Sequence, residues 1–124
     1  MPLKRSRPPS RRDDGGSATL VATWMIMVLL TVTGAGAYLG SAVVARHRAQ
    51  AVADLAALAA AARLSSGPDA ACASAAGVSR RMRVDDIRCV VEGLDVVVTA
   101  RVAVAYGGVA SAAARAGPVT GEFD

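Results

Sequence analysis

Few side chains in this sequence could carry chemistry, and their spacing keeps them apart. His47 is the only histidine. On a helix the carboxylate of Asp54 would lie roughly 10 Å along the axis from it, too far for the hydrogen bond that orients a general base. A Ser-His-Asp arrangement would need partners from elsewhere, and nothing in the chain marks them. Asp85 and Asp86 are neighbours in an expected strand, so their side chains diverge to opposite faces; they read as a solvated strand entry, not as a paired acid and base. Cys72, Cys89 and His47 show no C-x-x-C or H-x-x-x-H spacing and are too few for a structural zinc site. No glycine loop follows a strand to cradle a phosphate, because the glycine cluster Gly34 to Gly40 sits inside an apolar run. The chemistry expected is therefore none: no catalytic residues, no metal, no cofactor and no small-molecule substrate.

What the chain does supply is one uncharged stretch, Gly15 to Ala45, without a single Asp, Glu, Lys or Arg. A bilayer core about 30 Å thick is crossed by roughly 20 apolar residues in a helix, and Ala18 to Tyr38 provides them. The expected partner of this stretch is membrane lipid. The net charge is +4, but the excess lies in the leader, at Lys4, Arg5, Arg7, Arg11 and Arg12, while the rest of the chain is near balance. A nucleic-acid binder would carry a basic face on a folded domain, so no nucleic acid is expected. Basic residues before a span hold that flank in the cytoplasm. The expected topology is a single pass in the cell membrane, N-terminus cytoplasmic and C-terminal part extracytoplasmic, with Arg46 and Arg48 weakening the asymmetry without reversing it. Arg11-Arg12 is not read as a twin-arginine signal, since Asp13 and Asp14 follow where such signals are apolar.

Beyond the span, alanine-rich sequence predicts that the helix continues to Leu64. A helix from Ser17 to Leu64 would be roughly 70 Å long. Val44, Ala51, Leu55, Leu58 and Ala62 draw an apolar stripe along it, and Arg46, Gln50 and Asp54 stand at successive i, i+4 positions as a polar ridge. Gly36 and Gly40 form G-x-x-x-G, a small-residue face that another helix could approach closely, or else a flexible stretch. Gly36, Gly40, Gln50, Asp54, Leu55 and Leu58 are the candidate helix-packing residues.

The remainder is short and poor in aromatics, which make up 3% of the sequence, so its packing must rest on Ala and Val. Ser65 to Pro68 ends the long helix and starts a second one over Pro68 to Arg81, with Gly77 a possible early end. Val84 to Glu92 and Leu94 to Ala105 read as two strands joined across Glu92-Gly93. Val96, Val98, Ala100, Val102 and Val104 share one face, as do Ile87, Cys89 and Val91. After Gly107-Gly108, Val109 to Arg115 is a weaker third strand. Cys72 and Cys89 both fall on the exported side, where a disulfide is the expected state; the alternative is two free, half-buried thiols. The fold class is α+β, pilin-like: a long N-terminal helix, a short second helix and a small antiparallel sheet. The expected division is a disordered basic leader at 1–16, the long helix at 17–64, a small domain at 65–119 and a tail at 120–124.

The junction after the leader admits three readings: a secretory signal cut near Gly34 to Ala37, an uncleaved anchor, or a prepilin-type leader cut between Gly16 and Ser17. Three stretches here resemble the actinobacterial TadE/TadG-like proteins of Tad (Flp pilus) assembly systems: Asp13 to Leu20 (DDGGSATL), Arg46 to Ala61 (RHRAQAVADLAALAAA) and Ala112 to Val119 (AAARAGPV). Gln50 and Asp54 stand at the spacing of the R-x-Q-x-x-x-D-x-A-A-L-A pattern. The resemblance implies a prepilin-style leader, a membrane helix, an exported small domain, and a function in assembly without catalysis. It also implies other pilin-like subunits, Tad assembly proteins and a prepilin peptidase as partners. One departure is Val21, where TadE-type pseudopilins usually carry Glu. The expected function is that of a minor pilin, pseudopilin-like or accessory subunit of a Tad pilus or related secretion apparatus. The alternative is a soluble secreted binding module released by cleavage after Ala37.

Overall fold

A computed structural model describes residues 1–6 and 15–118. Most of the leader, Arg11-Arg12 and the tail 120–124 lie outside the described residues, so the leader and tail readings fall there. The elements are helix α1 (Gly15–Ala61), a short 3-10 turn (Leu64–Ser66), helix α2 (Pro68–Arg81) and strands β1 (Ile87–Glu92), β2 (Asp95–Ala103) and β3 (Val109–Ala116). The α+β class and the third strand are both present. The chain forms two units, Met1–Ala37 and Tyr38–Asp124.

In the first unit, α1 begins at Gly15, two residues before the expected start. None of the helix's most apolar window is buried. Three of its hydroxyls bond back onto their own helix: Thr19 Oγ1 donates to the Gly15 carbonyl at 2.9 Å, Thr23 Oγ1 to the Thr19 carbonyl at 2.8 Å and Thr31 Oγ1 to the Met27 carbonyl at 2.8 Å. Each hydroxyl thereby meets its hydrogen-bonding need without water, as hydrocarbon surroundings require.

In the second unit, the remainder of α1 packs on the sheet through alanines. Ala45, Ala49, Val52, Ala53, Ala56, Ala57 and Ala60 are all buried, following steps of three and four that bring them to one face. They meet the inner face of β2, where Val96, Val98, Ala100 and Val102 alternate with more exposed neighbours. Two clusters result: Ala49 and Val52 with Val84, Ala100 and Val102, and Ala56, Ala57 and Ala60 with Ala71, Ala75, Val96 and Val98. Small side chains bring helix and sheet close, but each buries little area, so the core is thin.

The sheet is antiparallel in order β1-β2-β3, with Cys89 opposite Val98 and Val98 opposite Ala114. Asp85 and Asp86 lie outside the strand expected from Val84, because β1 begins at Ile87. The Asp86 carbonyl still accepts from the Arg101 amide at 3.0 Å, extending the pairing without regular strand geometry. The β1–β2 turn is centred on Gly93 and Leu94, one residue later than expected, with Gly93 at φ 64° supplying the left-handed conformation.

Gly77 does not end α2, which runs to Arg81. It closes instead in a Schellman motif: the Val84 amide donates to the Ser79 carbonyl at 2.9 Å and the Arg83 amide to the Arg80 carbonyl at 3.0 Å. The left-handed residue that this motif requires is Arg83, at φ 57°, where glycine is usual. Val84 follows it into the core at 5% exposure, clustered with Ala49, Val52 and Val102.

Candidate membrane and assembly surface

The candidate surface is built from what the fold leaves uncovered. Along α1 in the first unit, Leu20, Trp24, Met25, Ile26, Leu29 and Leu30 are all exposed. A contiguous apolar surface of this extent on a soluble protein marks a binding or membrane-contacting region. Length and apolarity suffice for one bilayer crossing.

In the second unit the buried alanine face and the expected apolar stripe are different faces of α1. Val44, Leu55 and Leu58 remain 68%, 50% and 62% exposed, and Ala51 and Ala62 are exposed as well. The helix thus uses its small residues within the chain and presents its large ones outward. Within the polar ridge, Gln50 Nε2 donates to Asp54 Oδ1 at 2.9 Å, both residues being exposed. Arg46 is exposed on the same helix, while the Arg48 guanidinium donates through Nη2 to the Met82 carbonyl at 2.8 Å and so ties α1 to the end of α2.

Gly36 falls in the first unit and Gly40 in the second, both helical, with open space where a Cβ would stand. Among the described residues nothing fills those positions. Gly16 and Ser17 sit in the first turn of α1, so the peptide bond between them is inside the helix.

Cys72 of α2 and Cys89 of β1 are joined by a disulfide with Cα atoms 5.7 Å apart. It fastens the short helix to β1, one of the sheet's two edge strands. On the outer face of the sheet Arg115 pairs with Glu92 and, through Nη1 at 3.4 Å, with Asp95; these exposed pairs contribute little stability. Among the described residues no group of three or more His, Cys, Asp or Glu is placed to hold a metal. His47 on α1 and Asp85 in the connection between α2 and β1 are both exposed.

Three features were missed in the sequence: the buried alanine face, the bond from Arg48 to Met82, and the non-glycine cap at Arg83. The first left a signal in the three-and-four spacing from Ala45 to Ala60, masked by the alanines on every other face. The other two depend on contacts between elements and left none.

These observations define a class: a single apolar helix able to cross a membrane, joined to a small disulfide-linked α+β unit whose helix turns an apolar stripe outward. The family profile "Putative Flp pilus-assembly TadE/G-like" matches residues 16–78, and the chain belongs to this TadE/G-like family of Tad pilus assembly. It is also 68% identical over 54 residues to "Apoptosis inhibitor Rv3654c" of Mycobacterium tuberculosis (strain ATCC 25618 / H37Rv), covering 44% of this chain and 64% of that protein. The chain thus spans less than two thirds of that relative's length. No solved structure matches it. Membership ties the chain to pilus assembly, a structural role.

Proposed function

We propose that the chain is a minor pilin, pseudopilin-like or accessory subunit of a Tad-type pilus or a related secretion apparatus. In this reading it is held in the cell membrane by α1, with the leader cytoplasmic and the disulfide-linked unit outside. The observation that carries it is the division of labour on α1, whose alanines are spent on its own sheet while Val44, Leu55 and Leu58 stay exposed. Neighbouring subunits would cover that stripe, and Gly36 and Gly40 would admit their helices closely. The Gln50–Asp54 pair would fix register, since a hydrogen-bonded polar pair on an apolar seam disfavours shifted packings. Asp54→Leu and Gln50→Leu are expected to lower incorporation into the pilus while leaving membrane export intact, measured by fractionating sheared filaments from cells. Unchanged incorporation with both substitutions would discard the ridge.

A second reading is a released module that acts away from the membrane. The boundary between the two units, Ala37 to Tyr38, coincides with the small-residue site at which a secretory peptidase would cut. The name of the mycobacterial relative, an apoptosis inhibitor, describes an activity for which release would be needed if this chain shared it. N-terminal sequencing of the mature product separates the readings: Ser17 for prepilin-type processing, Tyr38 for release, and Met1 or Pro2 for an anchor.

A further inference from the structure

Within the second unit the β2–β3 turn lies alongside the α1 residues that follow Ala37. Tyr38, Leu39, Val43 and Arg46 of α1 share one groove with Gly107 of that turn and Val109, the first residue of β3. On the other flank, Gly40, Val44 and Arg48 share a groove with Val102 and Ala105. Neither groove is lined by any Asp or Glu, and each has one arginine. The turn and the start of β3 expose large apolar and aromatic side chains, Tyr106 at 70% and Val109 at 64%, and Leu39 is 64% exposed. Gly107 and Gly108 take φ 110° and 91°, a conformation that side-chain-bearing residues rarely adopt.

We propose that this turn and Arg46 form a shelf that rests on the phospholipid headgroups of the outer leaflet. The proposal rests on the membrane reading above. Ala18 to Tyr38 is long enough to cross the hydrocarbon, so the turn that shares a groove with Tyr38 would stand near the level where it ends. Tyrosine, like tryptophan, favours that level, ring toward the acyl chains and hydroxyl toward water; Tyr38 and Tyr106 are the chain's two tyrosines. Arg46 lies about 12 Å further along the axis, and helical side chains lean toward the N-terminus, here the membrane side. Its guanidinium is thereby directed back to the headgroup layer, roughly 5–8 Å deep, where lipid phosphates attract it. Arg48 is engaged at the Met82 carbonyl and shares a further groove with Asp85 and Asp86, which leaves Arg46 as the phosphate ligand.

The test uses the full chain in phosphatidylcholine–phosphatidylglycerol vesicles and reads tryptophan emission against lipids carrying a quencher either in the headgroup or deep in the acyl chain. The native chain, whose only tryptophan is Trp24, should lose emission to the deep quencher. A Trp24→Phe, Tyr106→Trp double variant should lose emission to the headgroup quencher and not to the deep one. Adding Arg46→Glu should diminish that loss. Deep quenching of Trp24 with no quenching of the indole at position 106 would overturn the shelf while leaving the span standing. Absence of quenching in both would overturn the shelf together with the membrane reading. Undiminished headgroup quenching after Arg46→Glu would remove Arg46 from the shelf and overturn its role as phosphate ligand.

Discussion

Adjacent residues on α1 serve opposite ends, and substitutions at them should separate folding from assembly. Ala56 is fully buried against the sheet, so Ala56→Leu would force extra volume into a close-packed contact and cost about 1–3 kcal/mol, seen as a lowered Tm of the purified chain. Leu55, next to it, is half exposed. Leu55→Ala should change that Tm by no more than about 0.5 kcal/mol equivalent while reducing incorporation into filaments. The same stability for both variants would mean that the buried face of α1 is assigned wrongly. Cys72 and Cys89 are separated by 17 residues, and closing a loop of that length removes about 3 kcal/mol of chain entropy from the unfolded state. For a unit whose core is mostly Ala and Val this is a large share of the total. Cys72→Ser with Cys89→Ser should lower the Tm markedly and abolish any response to reductant; a native-like Tm in the double variant would contradict that weight.

At the scale of elements, the cap of α2 offers a gain instead of a loss. Arg83 holds the left-handed position of the Schellman motif at φ 57°, which costs a residue with a Cβ on the order of 1 kcal/mol. Arg83→Gly should therefore raise stability slightly, the relief of that cost being partly offset by glycine's greater freedom in the unfolded chain. A clear fall in Tm would show that the Arg83 side chain holds something the backbone geometry does not. The elements themselves were legible where pattern and punctuation agreed. Pro68 with Asp69 set the start of α2, and the alternation from Val96 to Val102 identified the buried face of β2. Legibility failed where tertiary contacts decide. Gly77 is a helix breaker by propensity, yet the packing of Ala71 and Ala75 on Ala56, Ala57 and Ala60 carries α2 past it. Val84 to Asp86 reads as strand by composition, but Val84 is taken by the cap and β1 begins only at Ile87. On α1 the leucines gave the stronger hydrophobic signal, and the weaker alanine signal is the one the fold uses. The candidate site was legible as a set of residues and not as a surface, because nothing in a sequence separates an apolar stripe turned inward from one turned outward.

For the molecule as a whole, an uncharged apolar helix and a thin, alanine-packed unit make sense together as a subunit that gains stability from its neighbours. The first unit buries none of its apolar window, and the second leaves Val44, Leu55 and Leu58 uncovered, so lipid and other subunits are the proposed completion of both. The topology is the claim on which the rest stands. Lys4 is the chain's only lysine, which makes it a single side-chain reporter for the leader. The decisive measurement treats intact spheroplasts making the full-length chain, carrying a C-terminal epitope, with an external protease and an impermeant amine reagent. The account predicts that the epitope is removed from outside while Lys4 stays unmodified until the membrane is opened. An epitope protected from protease in sealed spheroplasts, or a Lys4 labelled from outside, would contradict it.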